Sequence, residues 1–251
     1  MAKRTSYEPG TFCWVDVATT DMARARAFYG ALFGWEADGV PGGQGTTYTR
    51  ARLGGEHVAG IYELPPPRWT SYVCVDDADA TVARARELGG TVEAEPLDVG
   101  GGRRTEITDP AGAVVAIWEP ADHIGAGRVN EAGCLCWNEL TVPDFAAVER
   151  FYADLFGWQV VRVPTPEGAP EIAGIANRAG WRNGNMRRVP GRPAAWTPYF
   201  AAESCAETAA RATALGGRTL FGPIDVPSGR MAVLADPEGA MFGLADGEMD
   251  P

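Results

Sequence analysis

The sequence predicts an α+β protein in which four βαβββ modules form two tandem domains. Three observations lead to this prediction. A repeat spans nearly the whole chain, helices show one apolar face and end at glycine, and three strand-like stretches follow each helix. Of the 251 residues, 45% are hydrophobic and 22% charged, which is enough apolar material for a packed core.

The internal repeat is visible as matched segments in the two halves of the chain. Residues 27–35 recur as 150–158, 123 residues later, and Asp109–Ala113 recurs as Asp236–Ala240, 127 residues later. The difference predicts a four-residue insertion in the second copy, which we place in Pro164–Pro170. The join falls near residues 119–131, so we predict a first domain over 1–122 and a second over 123–251.

Each copy shows the same order of elements. In the first copy a strand over Phe12–Val17 precedes a helix that Asp21 opens and Gly34 ends, and the second copy repeats this with a strand over Cys134–Leu140 and Asp144. The helix has apolar residues at the i, i+3, i+4 and i+7 spacing of one buried face. The remaining stretches of the first copy are three strands near 35–37, 48–52 and 57–62, a link at 65–67, a strand at 71–75, a helix at 77–88 and three strands ending at 113–119. We interpret the glycines at 42–45 and 100–102 as hairpin loops.

Composition and charge exclude several classes of protein. The net charge of −11 argues against nucleic acid as a partner, because nucleic-acid binding usually needs a basic face. No apolar run approaches the roughly 18–20 residues that span a bilayer, and the N-terminus lacks a secretory signal, so we predict a cytoplasmic protein without a membrane partner. An odd number of cysteines, five, indicates reduced thiols rather than a disulfide framework.

Several motifs together resemble one known superfamily. They are the Asp-x-x-x-x-x-x-Phe-Tyr helix at 21–29 and 144–152, its Leu-Phe-Gly-Trp ending, the Val-Asp-Asp strand end at 75–77 and the Asp-Pro-x-Gly turn before each final strand. The chain is similar to the glyoxalase/bleomycin resistance/extradiol dioxygenase, or vicinal oxygen chelate, superfamily, and specifically to its tandem actinobacterial glyoxalase-like or "hydroxylase" members. This resemblance implies cup-shaped mixed sheets with helices outside, one cup per copy, and a ligand inside each cup. We name these cup one and cup two.

The resemblance also implies where a catalytic metal would be held, and the residues at those positions are poor ligands. The first-strand position is Trp14 in copy one and Trp137 in copy two, and the fifth-strand position is Thr70 and Thr197. The eighth-strand position is Glu119 and Asp246. A divalent ion needs three or four converging N or O ligands, so we predict neither a metal nor another cofactor.

Strand alternation predicts which side chains face the cups. The candidate ligand-binding residues are Trp14, His57, Thr70, Tyr72, Trp137, Thr197 and Tyr199. The eighth strands are expected to add Val115, Ile117 and Glu119 in cup one and Phe242, Leu244 and Asp246 in cup two. The candidate catalytic groups are two carboxylate pairs, Asp16 with Glu119 and Glu139 with Asp246, because paired carboxylates in an apolar cup can exchange protons.

Each of these candidate residues could instead have a purely structural role. The tryptophans could fill the cups as core, and the carboxylates could pair with arginines such as Arg103 or Arg230. His57 could contact a ligand, while His123, in the joining segment, is expected to be structural. Since the same substitutions occur in both copies, we expect two cups of similar design.

Three functions remain open from the sequence. The leading hypothesis is a metal-free protein of secondary metabolism or drug resistance that binds a flat, partly apolar compound, such as an aromatic natural product. The second is a glyoxalase-like or hydroxylase-like enzyme that uses carboxylate acid–base chemistry or a degenerate metal site. The third is a structural or regulatory protein with plugged cups. The sequence leaves open whether the modules pair within one chain and whether the protein is a homodimer.

Overall fold

The computed structural model describes residues 3–41, 47–165 and 167–247. The glycine-rich loop expected at 42–45 lies outside these ranges, as does Pro166 in the expected insertion. Within them, none of the helices is both long and apolar enough to cross a membrane.

The first copy consists of two βαβββ modules. The elements of the first module are β1 (Phe12–Thr19), α1 (Met22–Phe33), β2 (Glu36–Pro41), β3 (Thr47–Leu53) and β4 (Glu56–Glu63). Those of the second module are β5 (Arg68–Cys74), α2 (Ala78–Glu87), β6 (Leu97–Asp98), β7 (Gly102–Thr108) and β8 (Val114–Pro120).

The second copy repeats this order. The elements of its first module are β9 (Leu135–Val142), a short 3-10 turn (Phe145–Ala147), α3 (Glu149–Phe156), β10 (Gln159–Val163), β11 (Ile172–Ala176) and β12 (Arg182–Arg188). Those of its second module are β13 (Ala195–Ala201), α4 (Cys205–Ala214), β14 (Arg218–Val226), β15 (Gly229–Ala235) and β16 (Met241–Gly247). The predicted α+β architecture of four modules is confirmed.

The two modules of each copy join into one eight-stranded mixed sheet, so they pair within a copy. The strand orders are β2-β3-β4-β1-β5-β8-β7-β6 and β10-β11-β12-β9-β13-β16-β15-β14. In each sheet the two central strands are antiparallel, with Asp16 opposite Thr70 in the first and Glu139 opposite Thr197 in the second. The central strands therefore place matching residues at the centre of each cup.

Local sequence explains where the helices begin and end. The Asp21 side chain accepts a hydrogen bond from the Arg24 N–H, and Gly34 ends α1 with φ of 74°, a left-handed conformation that favours glycine. In copy two Asp144 caps only the short 3-10 turn, and α3 begins after Val148, whose φ of −123° lies outside the helical range. The expected single helix is therefore interrupted here, at a buried β-branched residue with low helix propensity.

The helices pack on the side of each sheet opposite its cup, and these two sides face each other. Phe33 of α1 packs against Phe200 of β13, with ring centroids 5.0 Å apart. Each copy also hydrogen-bonds the other reciprocally: the Tyr29 hydroxyl donates to Asp236 Oδ2 and the Tyr152 hydroxyl donates to Asp109 Oδ2, both at 2.9 Å. The Asp-Pro-x-Gly turns of one copy are thus fixed by the Phe-Tyr helices of the other, and both cups open away from the interface.

The insertion in copy two is divided between two places. Gly60 lies beside Asp16 in the first sheet and Asn185 lies beside Glu139 in the second, 125 residues further along. Since Trp69 and Trp196 are 127 residues apart, two of the four extra residues lie between β12 and β13. The assignment of all four to Pro164–Pro170 is wrong, because the repeated tryptophans bound a segment that contains two loops.

Candidate functional site

The part of cup one near Trp14 is filled by the chain itself. The His123 ring of the joining segment packs edge-on against Trp14, with centroids 4.8 Å apart, and the Tyr7 hydroxyl donates to the Ala126 carbonyl at 2.6 Å. Ala126 and Val129 complete the apolar cluster over Trp14. Trp14 is only 3% exposed, so this tryptophan belongs to the core, which agrees with the alternative that the tryptophans fill the cups.

Next to Trp14 on the cup face of β1 lies a buried polar group, Asp16. Its Oδ2 accepts a hydrogen bond from the Tyr72 hydroxyl at 2.7 Å, whereas its Oδ1 and the hydroxyl of neighbouring Thr70 have no partner among the described residues. Burial raises the pKa of Asp16 from its ordinary value of 3.8 to about 6, although Arg104 and the Tyr72 hydrogen bond act in the opposite direction. Asp16 therefore changes its charge close to neutral pH.

A smaller cavity of about 490 Å³ lies on the β5–β8–β7 side of cup one, and Arg104, whose charge acts on Asp16, lines it. Arg68 and Arg104 line it and share the carboxylate of Glu106, at 2.7 Å and 3.1 Å. The Arg104 guanidinium also lies over the Tyr72 ring, 5.3 Å from its centroid. The open part of cup one is thus a charged chamber rather than an aromatic one.

Cup two contains the larger cavity, of about 870 Å³. Its walls are mainly aromatic and aliphatic, from the N-terminal segment and from both modules. They include Tyr7, Phe12, Trp137, Val161, Val163, Ile172, Trp181 and Tyr199. Trp137 is half-buried and faces this space, unlike its counterpart Trp14. The expectation of two similar cups is therefore wrong, because His123 and Ala126 of the joining segment pack over Trp14 in cup one, whereas Trp137 borders an open cavity in cup two.

The floor of cup two is a hydrogen-bonded network centred on Glu139. Its Oε1 accepts from Arg187 at 2.7 Å and from the Tyr199 hydroxyl at 3.4 Å, and its Oε2 accepts from the Asn185 amide at 2.9 Å. The Trp137 indole N–H donates to Asn185 Oδ1. Burial and the neighbouring Glu139 charge raise the pKa of Tyr199, so this hydroxyl stays protonated.

Glu119 and Asp246 do not face the cups, so neither carboxylate pair forms. Glu119 Oε2 accepts from the Ala78 N–H at the start of α2 and lies 3.4 Å from Arg103. Asp246 accepts from the Cys205 N–H at the start of α4 and from the Arg230 N–H. Both carboxylates therefore stabilise helix N-termini. Glu119 also pairs with Arg103, as the alternative to a catalytic role predicts.

The predicted cup faces of β8 and β16 are wrong by one residue. Tyr72 pairs with Ala116 and Tyr199 pairs with Gly243, so Ala116 and Gly243 face the cups. Their neighbours pack on the helix side, which corrects the expected cup positions of Val115, Ile117, Phe242 and Leu244. The other cup predictions agree with the structure: Thr70 and Tyr72 face cup one, while Thr197 and Tyr199 lie on the cup face of β13.

The two histidines meet each other at the edge of cup one. Their ring centroids are 5.4 Å apart, and His123 also packs against Trp118. Burial, with the charges of Arg50 and His57, lowers the pKa of His123 to about 3. His123 is thus a neutral packing residue, and His57, a candidate ligand contact, packs against it at the edge of cup one.

The metal site that the superfamily resemblance implies does not fit these residues. On the three implied strands, Trp14, Thr70 and Ala116 in cup one and Trp137, Thr197 and Gly243 in cup two offer no strong metal ligand, and each cup has one carboxylate there, Asp16 or Glu139. In residues 3–41, 47–165 and 167–247 no three His, Cys, Asp or Glu side chains converge as a metal site requires. The one carboxylate on the floor of cup two, Glu139, is already bound to the cation of Arg187.

Sequence reasoning missed several residues of cup two. Arg187 and Asn185 lie two residues apart on β12, and Trp181 precedes that strand. The alternation of β12 could have suggested Asn185 and Arg187 as a shared face, but its register with Glu139 is visible only in the folded sheet.

Comparison with known proteins agrees with this architecture. The model of the glyoxalase/bleomycin resistance protein/dioxygenase superfamily matches residues 11–117, and the model of a glyoxalase-like domain matches residues 136–245. A relative from Mycobacterium tuberculosis, named "Putative glyoxylase CFP32", is 42% identical over 97% of both chains. The chain belongs to the glyoxalase/bleomycin resistance protein/dioxygenase superfamily.

Further proteins are similar over most of their length. The anthracycline biosynthesis protein DnrV of Streptomyces peucetius is 34% identical, covering 96% of this chain and 95% of its own. Among solved structures, the 2,3-dioxygenase LapB from Pseudomonas sp. KL28 has a TM-score of 0.66 at 18% identity, covering 96% of this chain and 93% of that one. The Mn(II)-bound glyoxalase from Novosphingobium aromaticivorans has a TM-score of 0.65 at 17% identity, covering 98% and 83%. These two structures share the fold.

Proposed function

We propose that cup two binds a flat, partly apolar small molecule without a metal, as a binding or accessory protein of small-molecule metabolism or drug resistance. One observation supports this most directly: a cavity of about 870 Å³ with aromatic walls ends on a preorganised polar floor. Small-molecule sites combine these features, since apolar walls supply area to bury and a few polar groups orient the ligand.

The floor is better suited to orienting a ligand than to transferring a proton. Glu139 is 6% exposed and bonded to Arg187, Asn185 and Tyr199, so its lone pairs are already engaged. A ligand oxygen can instead bond to the remaining donors of this network.

The walls favour a planar ligand. The exposed ring of Trp181 and the half-buried ring of Trp137 offer flat faces, and Val161 and Val163 supply exposed aliphatic surface. The relative DnrV is named for anthracycline biosynthesis, and an anthracycline contains a planar polycyclic system of this kind. We therefore propose a polycyclic aromatic compound as the ligand class.

Calorimetric titration with 2-(hydroxymethyl)anthraquinone, a planar neutral probe that does not chelate metals, tests this proposal. Binding at micromolar concentration is expected, and Trp181→Ala should weaken it about tenfold through lost stacking area. Leu97→Ala is the matched control, because Leu97 is similarly exposed but lines the cavity of cup one. If the probe does not bind, or if only Leu97→Ala weakens it, cup two is not the site.

Proton transfer by Asp16 in cup one is the second candidate function. Its pKa of about 6 suits a residue that exchanges protons near neutral pH. The hemithioacetal of methylglyoxal and glutathione, assayed with chelator-treated protein, distinguishes the candidates. The binding proposal predicts no isomerisation above background, whereas catalysis predicts a rate that Asp16→Asn abolishes while anthraquinone binding persists.

A further inference from the structure

Basic residues outnumber acidic residues among those that line cup two, whereas acidic residues outnumber basic ones in the whole chain. The chain has 33 acidic and 22 basic residues. The cavity, however, is lined by Arg4, Arg182 and Arg230 against Glu8 and Glu139. Pairing leaves a basic excess, since Arg187 neutralises Glu139 and Asp225 neutralises Arg230. A cleft with apolar walls strengthens the field of its charged groups, so this cavity attracts anions although the protein is acidic overall.

Arg4 is the guanidinium best placed to receive an anion. It lies over the Trp181 ring, 6.0 Å from the ring centroid, and its backbone N–H donates to the Gly127 carbonyl at 3.0 Å. The adjacent Lys3 is paired with Glu56 at 2.6 Å. These contacts hold the N-terminal segment across the joining segment, at the wall that carries Trp181.

The donors of Arg4 are also not all engaged. Its Nε is buried and has no hydrogen-bond partner within the described residues. Arg230, in contrast, is paired with Asp225 at 2.7 Å. A guanidinium stacked on an indole ring keeps its in-plane donors available for a planar oxyanion.

We propose that the ligand of cup two is a planar aromatic anion, whose carboxylate or sulfonate group pairs with Arg4 while its rings stack beside Trp181. This inference rests on the proposed function, since it names the ligand class of the same site. It accounts for the excess of guanidinium groups in the cavity, which a neutral ligand does not require.

A pair of probes that differ in charge tests the inference. Anthraquinone-2-sulfonate should bind about tenfold more tightly than 2-(hydroxymethyl)anthraquinone, and raising NaCl from about 50 to about 500 mM should remove most of this preference. Arg4→Gln should lower the affinity for the sulfonate to about that for the neutral probe, so that the preference is lost. Glu8→Gln should strengthen binding of the sulfonate, because it removes the acidic group on the same wall. Arg150→Gln is the control for overall charge, since Arg150 is 90% exposed on α3, away from the cavity.

The outcomes separate this inference from the proposed function. If both probes bind equally and Arg4→Gln changes neither, the anion inference is wrong while the cup remains a binding site for planar molecules. A loss of preference in Arg150→Gln equal to that in Arg4→Gln also overturns it, because the effect would then follow net charge. If neither probe binds, the proposed function fails as well.

Discussion

Replacing Asp16 with asparagine should make the protein more stable at neutral pH. The side chain is 3% exposed, and burial raises its pKa from 3.8 to about 6. The neutral form is therefore favoured in the folded state. Its contribution to stability is complete below about pH 3.8 and is lost as the pH rises through about 6. The shift of about two pKa units corresponds to about 3 kcal/mol of unfolding free energy.

Urea unfolding at a series of pH values measures this effect. The unfolding free energy of Asp16→Asn minus that of the wild type should increase by about 3 kcal/mol between about pH 4 and pH 8. The asparagine carbonyl can still accept the Tyr72 hydrogen bond, so the variant changes charge with little change in shape. Asp122→Asn, at an exposed position, is the control for the loss of one carboxylate. A flat difference for Asp16→Asn would refute the argument that burial in cup one raises this pKa.

Three further predictions follow from other contacts. Tyr29→Phe should lower the unfolding free energy by about 2–4 kcal/mol in urea titrations, since Asp236 Oδ2 and the Trp69 indole N–H each lose a buried partner; an unchanged midpoint would contradict the reciprocal interface. Glu119→Gln should lower the unfolding free energy by about 1 kcal/mol and leave the affinity for the anthraquinone unchanged, because Glu119 stabilises the N-terminus of α2. Reduced affinity with unchanged stability would show instead that Glu119 contacts the ligand. Gly60→Ala should destabilise the protein, as a β-carbon there would lie 2.0 Å from the Tyr48 hydroxyl; a neutral effect in thermal unfolding would show that Tyr48 moves freely.

The fold could be predicted from the sequence because repeat, period and turn chemistry agree. Asp21 and Gly34 mark the ends of α1, and the repeated Asp-Pro-x-Gly turns mark the last strand of each copy. Capping and turn residues could not show that Val148 interrupts the equivalent helix of copy two. Val148 is buried in a cluster that includes residues of copy one, and the sequence alone does not show that contact.

The candidate site was predictable on some strands only. Trp14 and Asp16 on β1, Tyr72 on β5 and their counterparts face the cups because alternation was counted from the correct residue. The prediction for Glu119 and Asp246 is wrong because the residues before Glu119 in β8, Val114–Trp118, are apolar on both faces, so alternation alone does not show which face is the cup. Arg187 and Arg4 were missed because long-range register and the path of the N-terminal segment bring them to cup two.

The central claim, that cup two binds a planar molecule without a metal, is tested most directly by one titration. The affinity for 2-(hydroxymethyl)anthraquinone is measured calorimetrically on chelator-treated protein, with and without added Mn²⁺. Since Glu139 is already paired with Arg187, the structure predicts the same affinity in both conditions. Binding that appears only when Mn²⁺ is added would contradict it.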